Sequence, residues 1–309
     1  MSVEYVFART RERTVIASPT TAESGAPVGE EPGWDLVIEP KSRLFDLKLG
    51  ELWHYRDLVY LFVWRDFVAR YKQTILGPAW HVIQPLVTTA VFTVVFGSIA
   101  AIPTDTAPPF LFYMVGTMLW GYFSDVFGST STTFSANANL FGKVYFPRLA
   151  VPIATLFSRL IGLAIQTAFL ALFLGWFIYR GAHVQPNLWL LATPLLLLMT
   201  AMLALGLGVI VSALTTRYRD LTIVVSFGTQ LLMFATPIIY PLSSVPAAYR
   251  GWMALNPLTP IVEVFRYAFL GTGVVDLTLL AISGASTAVI LLAGVLIFTH
   301  VERNFMDTV

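Results

Sequence analysis

The sequence contains no cysteine, only four histidines, and little charge for its 309 residues. Without thiols there are no disulfide frameworks, thiolate metal sites or cysteine nucleophiles. His54, His81, His183 and His300 are scattered without ligand spacing, which favours packing or interfacial roles over metal chemistry. Nineteen basic residues against 18 acidic ones give a net charge of +1, too little for a cationic face that tracks nucleic acid. Catalytic signatures are lacking as well: there is no G-x-S-x-G and no H-E-x-x-H. Gly142-Lys143-Val144 lacks both the upstream glycine and the hydroxyl residue of a nucleotide-binding P-loop. No enzymatic activity and no cofactor is therefore expected in this chain.

What is present is apolar. Hydrophobic residues make up 56% of the chain and charged ones 12%, with a mean hydropathy of +0.72. A soluble chain of this size cannot hide so much apolar surface. The seventy residues between Lys72 and Lys143 hold no Lys or Arg and only two acids, Asp105 and Asp125. The reading is an all-α integral membrane protein of six transmembrane helices, with an interfacial helix before them and a re-entrant hairpin between the fifth and sixth.

Residues 1–43, rich in Ser, Thr, Pro, Gly and Glu, are too polar to repay ordering by burial and predict a disordered cytoplasmic tail. Nothing in them has the apolar run of a signal peptide. Residues 44–77 predict an amphipathic helix lying at the membrane surface or against another protein. Trp53, Tyr60, Trp64, Phe67 and Tyr71 share one face, and Arg65 and Lys72 lie nearly opposite. The rest, 78–309, is a transmembrane domain. Spans are placed near 79–102, 110–128, 149–179, 188–214, 221–240 and 278–299, each long enough to cross a core of about 30 Å. If the N-terminus is inside, fifteen basic residues fall on the cytoplasmic side and three outside, so both termini are cytoplasmic. Pro246, Asn256-Pro257 and Pro260 break the apolar stretch 246–270 into two short helices that enter the outer leaflet and return. Asp125 and Arg159 lie twelve residues either side of the loop 137–147, which places them at similar depth and predicts a structural ion pair, with a proton relay as the alternative.

Four stretches then match a known pattern: LFVWRDFVARYKQTILGPAWHVIQP (61–85), NANLFGKVYFPR (137–148), RYRDL (217–221), and TPIIYPLSSVP with LNPLTPIVEVFR (236–246 and 255–266). In order and spacing they resemble the membrane subunit of ABC-2-type polysaccharide exporters, the permeases for O-antigen, capsule or teichoic acid. The resemblance runs from about residue 50 to the C-terminus. It implies a permease homodimer in the bacterial cytoplasmic membrane, clamped by two separate ATPase subunits that bind ATP and Mg2+, and a polyprenyl-linked polysaccharide as substrate.

The resemblance also implies residue roles. The loop 137–148 is similar to the coupling element that docks on the ATPase, with Asn139, Leu140, Phe141, Lys143, Val144, Tyr145, Phe146 and Arg148 as its contacts. Its apolar residues are of the type that anchors interfaces. Arg65, Arg70 and Lys72 would meet lipid headgroups or the carrier's pyrophosphate, although Asp66 and Arg70 also form an acid-first i,i+4 helix pair. Bordering spans make Phe92, Phe96, Phe227 and Phe234 the pore-lining aromatics on which sugar C–H faces slide. The hairpin resembles an outer gate plugged by Tyr249, Trp252, Phe265, Tyr267 and Phe269, with Glu263 and Arg266 holding its two copies in register. One departure stands out: many members carry an acid in the third span where this chain has Gly162. Other readings remain open. They are an ABC-2 permease for a drug or small lipid, a membrane glycosyltransferase or polymerase, and a secondary transporter. An adjacent ATPase gene among glycosyltransferase genes separates the first reading from these.

Overall fold

The computed structural model describes residues 53–304 apart from 73, 76, 145, 217 and 219, with backbone alone at 71, 78, 303 and 304. The tail 1–43, Tyr145, Arg217 and Arg219 lie outside the described residues, as does the Arg303 side chain. Every regular element described is helical: α1 (Arg56–Tyr71), α2 (Trp80–Phe92), α3 (Pro109–Ser131), α4 (Thr133–Phe141), α5 (Ala150–Tyr179), α6 (Thr193–Thr215), α7 (Leu221–Phe234), α8 (Ala247–Ala254), α9 (Leu258–Leu270) and α10 (Leu277–Asn304).

Five helical stretches among the described residues are long and apolar enough to cross a membrane: Trp80–Ile99, Pro109–Ser131, Ala150–Tyr179, Leu188–Thr215 and Leu277–Glu302. Each lies within a few residues of its predicted bounds, because local signals end it. Pro109 opens α3 at a position where a lost N–H costs nothing. Asp276 caps α10 by accepting hydrogen bonds from the N–H groups of Thr278 and Leu279 at 2.8 and 3.1 Å. The first span carries Pro85 inside α2 and widens over Thr93–Ile99, where the Ala100 N–H reaches back five residues to the Val95 carbonyl at 2.8 Å.

The fifth span departs from expectation. A single helix over 221–240 is not formed; α7 stops at Phe234 and residues 236–239 continue as buried, irregular chain. Pro237 is the cause, since it offers no N–H and disfavours a helical conformation before it. The exposed carbonyls find side-chain donors: Tyr240 Oη donates to Phe234 at 2.7 Å, Asn256 Nδ2 to Ala235 at 3.3 Å, and Arg266 Nη2 to Pro237 at 2.6 Å. Beyond it, Asn256-Pro257 separates α8 from α9 as the sequence predicts.

α3 and α6 are the buried helices. The main core gathers Leu111, Phe112, Tyr113, Met118 and Phe123 of α3 with Leu196, Leu203 and Ala204 of α6 and Ile261, Val264 and Phe265 of α9. Close approach between α6 and α10 depends on Gly206, where a Cβ would sit 2.8 Å from the Leu291 Cα. The outer helices expose apolar side chains instead: Val87 and Val91 on α2, with Val94 just beyond it, Ile223, Val224 and Phe227 on α7, and Ile282, Val289 and Leu292 on α10. Surfaces this apolar belong in lipid or against another chain.

Candidate functional site

At the end of the molecule that carries the loop 137–148, a second core forms from aromatic rings. Phe134 stacks on Phe298 with centroids 4.4 Å apart, Phe141 meets Phe146 at 5.8 Å, and Phe146 meets Phe62 at 5.5 Å. Phe141 and Phe146 are thus buried, and Leu140 is half-buried, so the expectation of a run of exposed anchors is corrected. The reason is energetic. Burying a phenylalanine ring stabilises by about 1.5–3 kcal/mol, and α1 and α10 bring partners within reach that the loop sequence cannot reveal. Arg148 is buried too. Its Nη1 donates to the Glu302 carbonyl at 2.9 Å, its backbone N–H donates to Glu302 Oε1 at 3.1 Å, and its guanidinium lies 5.4 Å from the Phe141 ring. The face left to a partner consists of Asn139, Lys143 and Val144, the last 55% exposed.

α1 has three faces. Phe62 packs inward beside half-buried Leu58, Val59 and Val63, while Trp53, Tyr60 and Trp64 stand exposed. Arg65 lies 4.7 Å from the Phe62 ring and pairs with its neighbour Asp66 at 2.8 Å, where the sequence suggested Asp66 with Arg70. Arg70 is half-buried, and Lys72 is exposed.

A cavity of about 230 Å³ opens between α2, α3 and α5. It runs along one face of α2, from Trp80 through His81, Gln84 and Thr88 to Phe92. The facing walls are Thr117, Trp120, Tyr122, Ser124 and Asp125 of α3 and Arg159, Gly162 and Gln166 of α5, with Met233 of α7 at the side. Asp125 and Arg159 do line one space, but among the described residues no ion pair joins them. Arg159 donates to Ser129 at 2.5 Å instead. Side chains lean toward the N-terminus of their own helix. On the antiparallel α3 and α5 the two groups therefore diverge. Gly162 has a structural reason here: a Cβ would sit 2.7 Å from the His81 ring, so glycine seats the imidazole against α5. The sequence signal for this cavity is the histidine and amide groups inside apolar segments, since Gln84, Gln166 and His81 are polar without carrying a fixed charge.

At the opposite end, Glu263 and Arg266 are 1% and 0% exposed and pair with each other at 2.8 Å. Glu263 also accepts from the N–H groups of Leu242 and Val274 at 3.3 and 3.0 Å, and the Arg266 guanidinium lies 4.0 Å from the Phe112 ring. Both are spent within one chain, so their expected role between two copies is corrected. Phe265 and Phe269 are buried in the main core and are not free as plugs, whereas Tyr249 and Trp252 of α8 are exposed. α9 is a core helix in all but Tyr267.

Of the pore aromatics, Phe92 and Phe96 meet edge to face at 5.1 Å and rest on Tyr113, while Phe227 and Phe234 are exposed on α7. No ring contact joins the two pairs among the described residues.

Residues 57–270 match the family described as ABC-2 type transporter. The O-antigen export system permease protein of Myxococcus xanthus is 29% identical over 263 residues, covering 84% of this chain and 98% of that protein. Its counterpart from Klebsiella pneumoniae is 26% identical over 254 residues, 81% and 94% of the two chains. The polysialic acid transport protein of Escherichia coli is 26% identical over 211 residues, 67% and 78%.

Proposed function

Since the chain belongs to the ABC-2 type transporter family, we propose that it is the membrane subunit of an exporter that carries a polyprenyl-linked polysaccharide across the bacterial cytoplasmic membrane. The observation that supports this most is the near full-length likeness to permeases named for O-antigen export. In this reading a homodimer is driven by two ATPase subunits, which bind ATP and Mg2+ and meet the exposed Asn139, Lys143 and Val144. Both termini are cytoplasmic, and residues 1–43 precede the surface helix region 44–77 and the transmembrane domain 78–309. α7 and the irregular chain after it act together as the fifth of six spans, and α8 with α9 forms a re-entrant hairpin at the outer mouth. Trp53, Tyr60 and Trp64 sit among lipid headgroups, where the carrier enters past Arg65, Arg70 and Lys72. Phe92, Phe96, Phe227 and Phe234 border the path between two copies, with Tyr249 and Trp252 at its exit.

The test is replacement in the native host. Deleting the gene while retaining its neighbouring ATPase should leave polymer inside the cell, and restoring the full chain should return it to the surface. Unchanged surface polysaccharide in the deletion strain, with a new sensitivity to a small compound, would favour a drug or lipid exporter instead.

A further inference from the structure

We propose that the cavity between α2, α3 and α5 is a binding site for a single sugar ring, which rests on the polysaccharide-export reading and adds where one unit of the polymer is held. Polar groups inside apolar spans are costly and need a use. This cavity collects the amides of Gln84 and Gln166, the hydroxyls of Thr88, Thr117 and Ser124, the Asp125 carboxylate and the Arg159 guanidinium. Amides and hydroxyls both donate and accept, as a sugar hydroxyl does, and the carboxylate and guanidinium extend the set in each direction.

A second, independent observation is Tyr122. It lines the same cavity, is 4% exposed, and its buried hydroxyl has no hydrogen-bond partner. A buried hydroxyl left unpaired costs about 1–3 kcal/mol, and a small turn of the ring toward the cavity would give it a ligand hydroxyl as partner. Trp80, Trp120 and Phe92 supply the apolar faces against which the C–H side of a pyranose packs. A volume of about 230 Å³ is below the usual range for drug-sized ligands and suits one ring. A phosphate fits less well, because Asp125 repels it and Arg159 already donates to Ser129. A metal lacks ligands, as no cluster of three His, Cys, Asp or Glu occurs among the described residues.

The full-length permease in lipid nanodiscs is titrated at millimolar concentration with four free monosaccharides: a neutral hexose, a 6-deoxyhexose, an N-acetylhexosamine and a uronic acid. Inorganic pyrophosphate serves as the competing probe, and tryptophan fluorescence is followed. At least one sugar should give a saturable change that Asp125→Asn and Gln166→Leu each weaken about tenfold, the loss expected for a buried hydrogen bond to a charged or polar partner. Asp125→Asn keeps the shape of the side chain, so it decides the matter if Gln166→Leu folds poorly. No saturable response to any sugar, a response unchanged in Asp125→Asn, or a response to pyrophosphate alone would overturn the site. Surface display of polymer in cells separates the two claims. Export that persists without sugar binding removes this site and leaves the export reading, whereas a chain that restores no polymer to a deletion strain removes the export reading itself.

Discussion

Two neighbourhoods of arginine and carboxylate lie within the apolar body of this chain, and they dispose of their charge in different ways. Glu263 and Arg266 are three residues apart on one helix, meet at 2.8 Å, and share further bonds with Leu242, Val274 and Pro237. Asp125 and Arg159 stand on antiparallel helices, lean apart, and face a cavity. A closed pair holds structure, here α9 against the broken end of α7. An open one leaves charge available to something that enters. Similar residue types at similar cost therefore serve different ends, and the difference is decided by side-chain direction.

The largest expected effect breaks the closed pair. Arg266→Met leaves Glu263 buried without its counter-charge and should destabilise the folded permease by about 3–5 kcal/mol, read as a lowered unfolding midpoint in detergent. Glu263→Gln keeps one acceptor oxygen, turns an NH2 group on the N–H of Leu242 or Val274, and leaves Arg266 without its counter-charge, so it should also destabilise. A loss below about 1 kcal/mol for Arg266→Met would mean that the pair is not structural. Next is Gly162→Ala, which puts a methyl group 2.7 Å from the His81 ring. The ring is the end of a movable side chain, so the cost should be about 1–3 kcal/mol from overpacking. The imidazole moves into the cavity, so sugar responses should fall more than stability does. An alanine variant with both unchanged would show that His81 has another seat.

On the surface, the Arg65–Asp66 pair is a control for both. It is exposed, at 46% and 32% of side-chain surface, and a double-mutant cycle in detergent should return about 0.2–1 kcal/mol. A larger coupling would mean that the pair is shielded from water and that α1 lies deeper than a surface helix.

How much of this was legible in sequence depends on distance along the chain. The long helices were, because an apolar run and its capping residues are local: Pro109 and Asp276 mark their helices without help. The stop at Phe234 was written in Pro237, yet the apolar run past it reads as more helix. The loop 137–148 was misread in a specific way. Its apolar residues suggest an exposed docking surface only while Phe62 and Phe298, each far away in sequence, are unknown as partners for Phe146 and Phe134. The hairpin break at Asn256-Pro257 was legible, but the burial of α9 was not, since it depends on α3 and α6. That Asp125 and Arg159 come near one space followed from counting residues, whereas their divergence depends on the direction in which each helix runs. His81 against Gly162 could not be seen at all, because a glycine advertises space without saying what fills it.

The last expected effect, also small, is the most informative about the open pair. If Asp125 and Arg159 share a cavity without a direct bond, their coupling in a double-mutant cycle through Asp125→Asn and Arg159→Gln should be about 0.5–1 kcal/mol, the low end for residues coupled through a shared cavity. The charge-swapped double variant, Asp125→Arg with Arg159→Asp, should be no more stable than the better single variant, because neither new side chain reaches the other from its helix. Unfolding midpoints in detergent check both. A coupling above about 1.5 kcal/mol, or rescue by the swap, would show that the two groups close on each other in the membrane. The cavity would then be one state of a pair that opens, and Ser129 only the partner Arg159 takes while it is open.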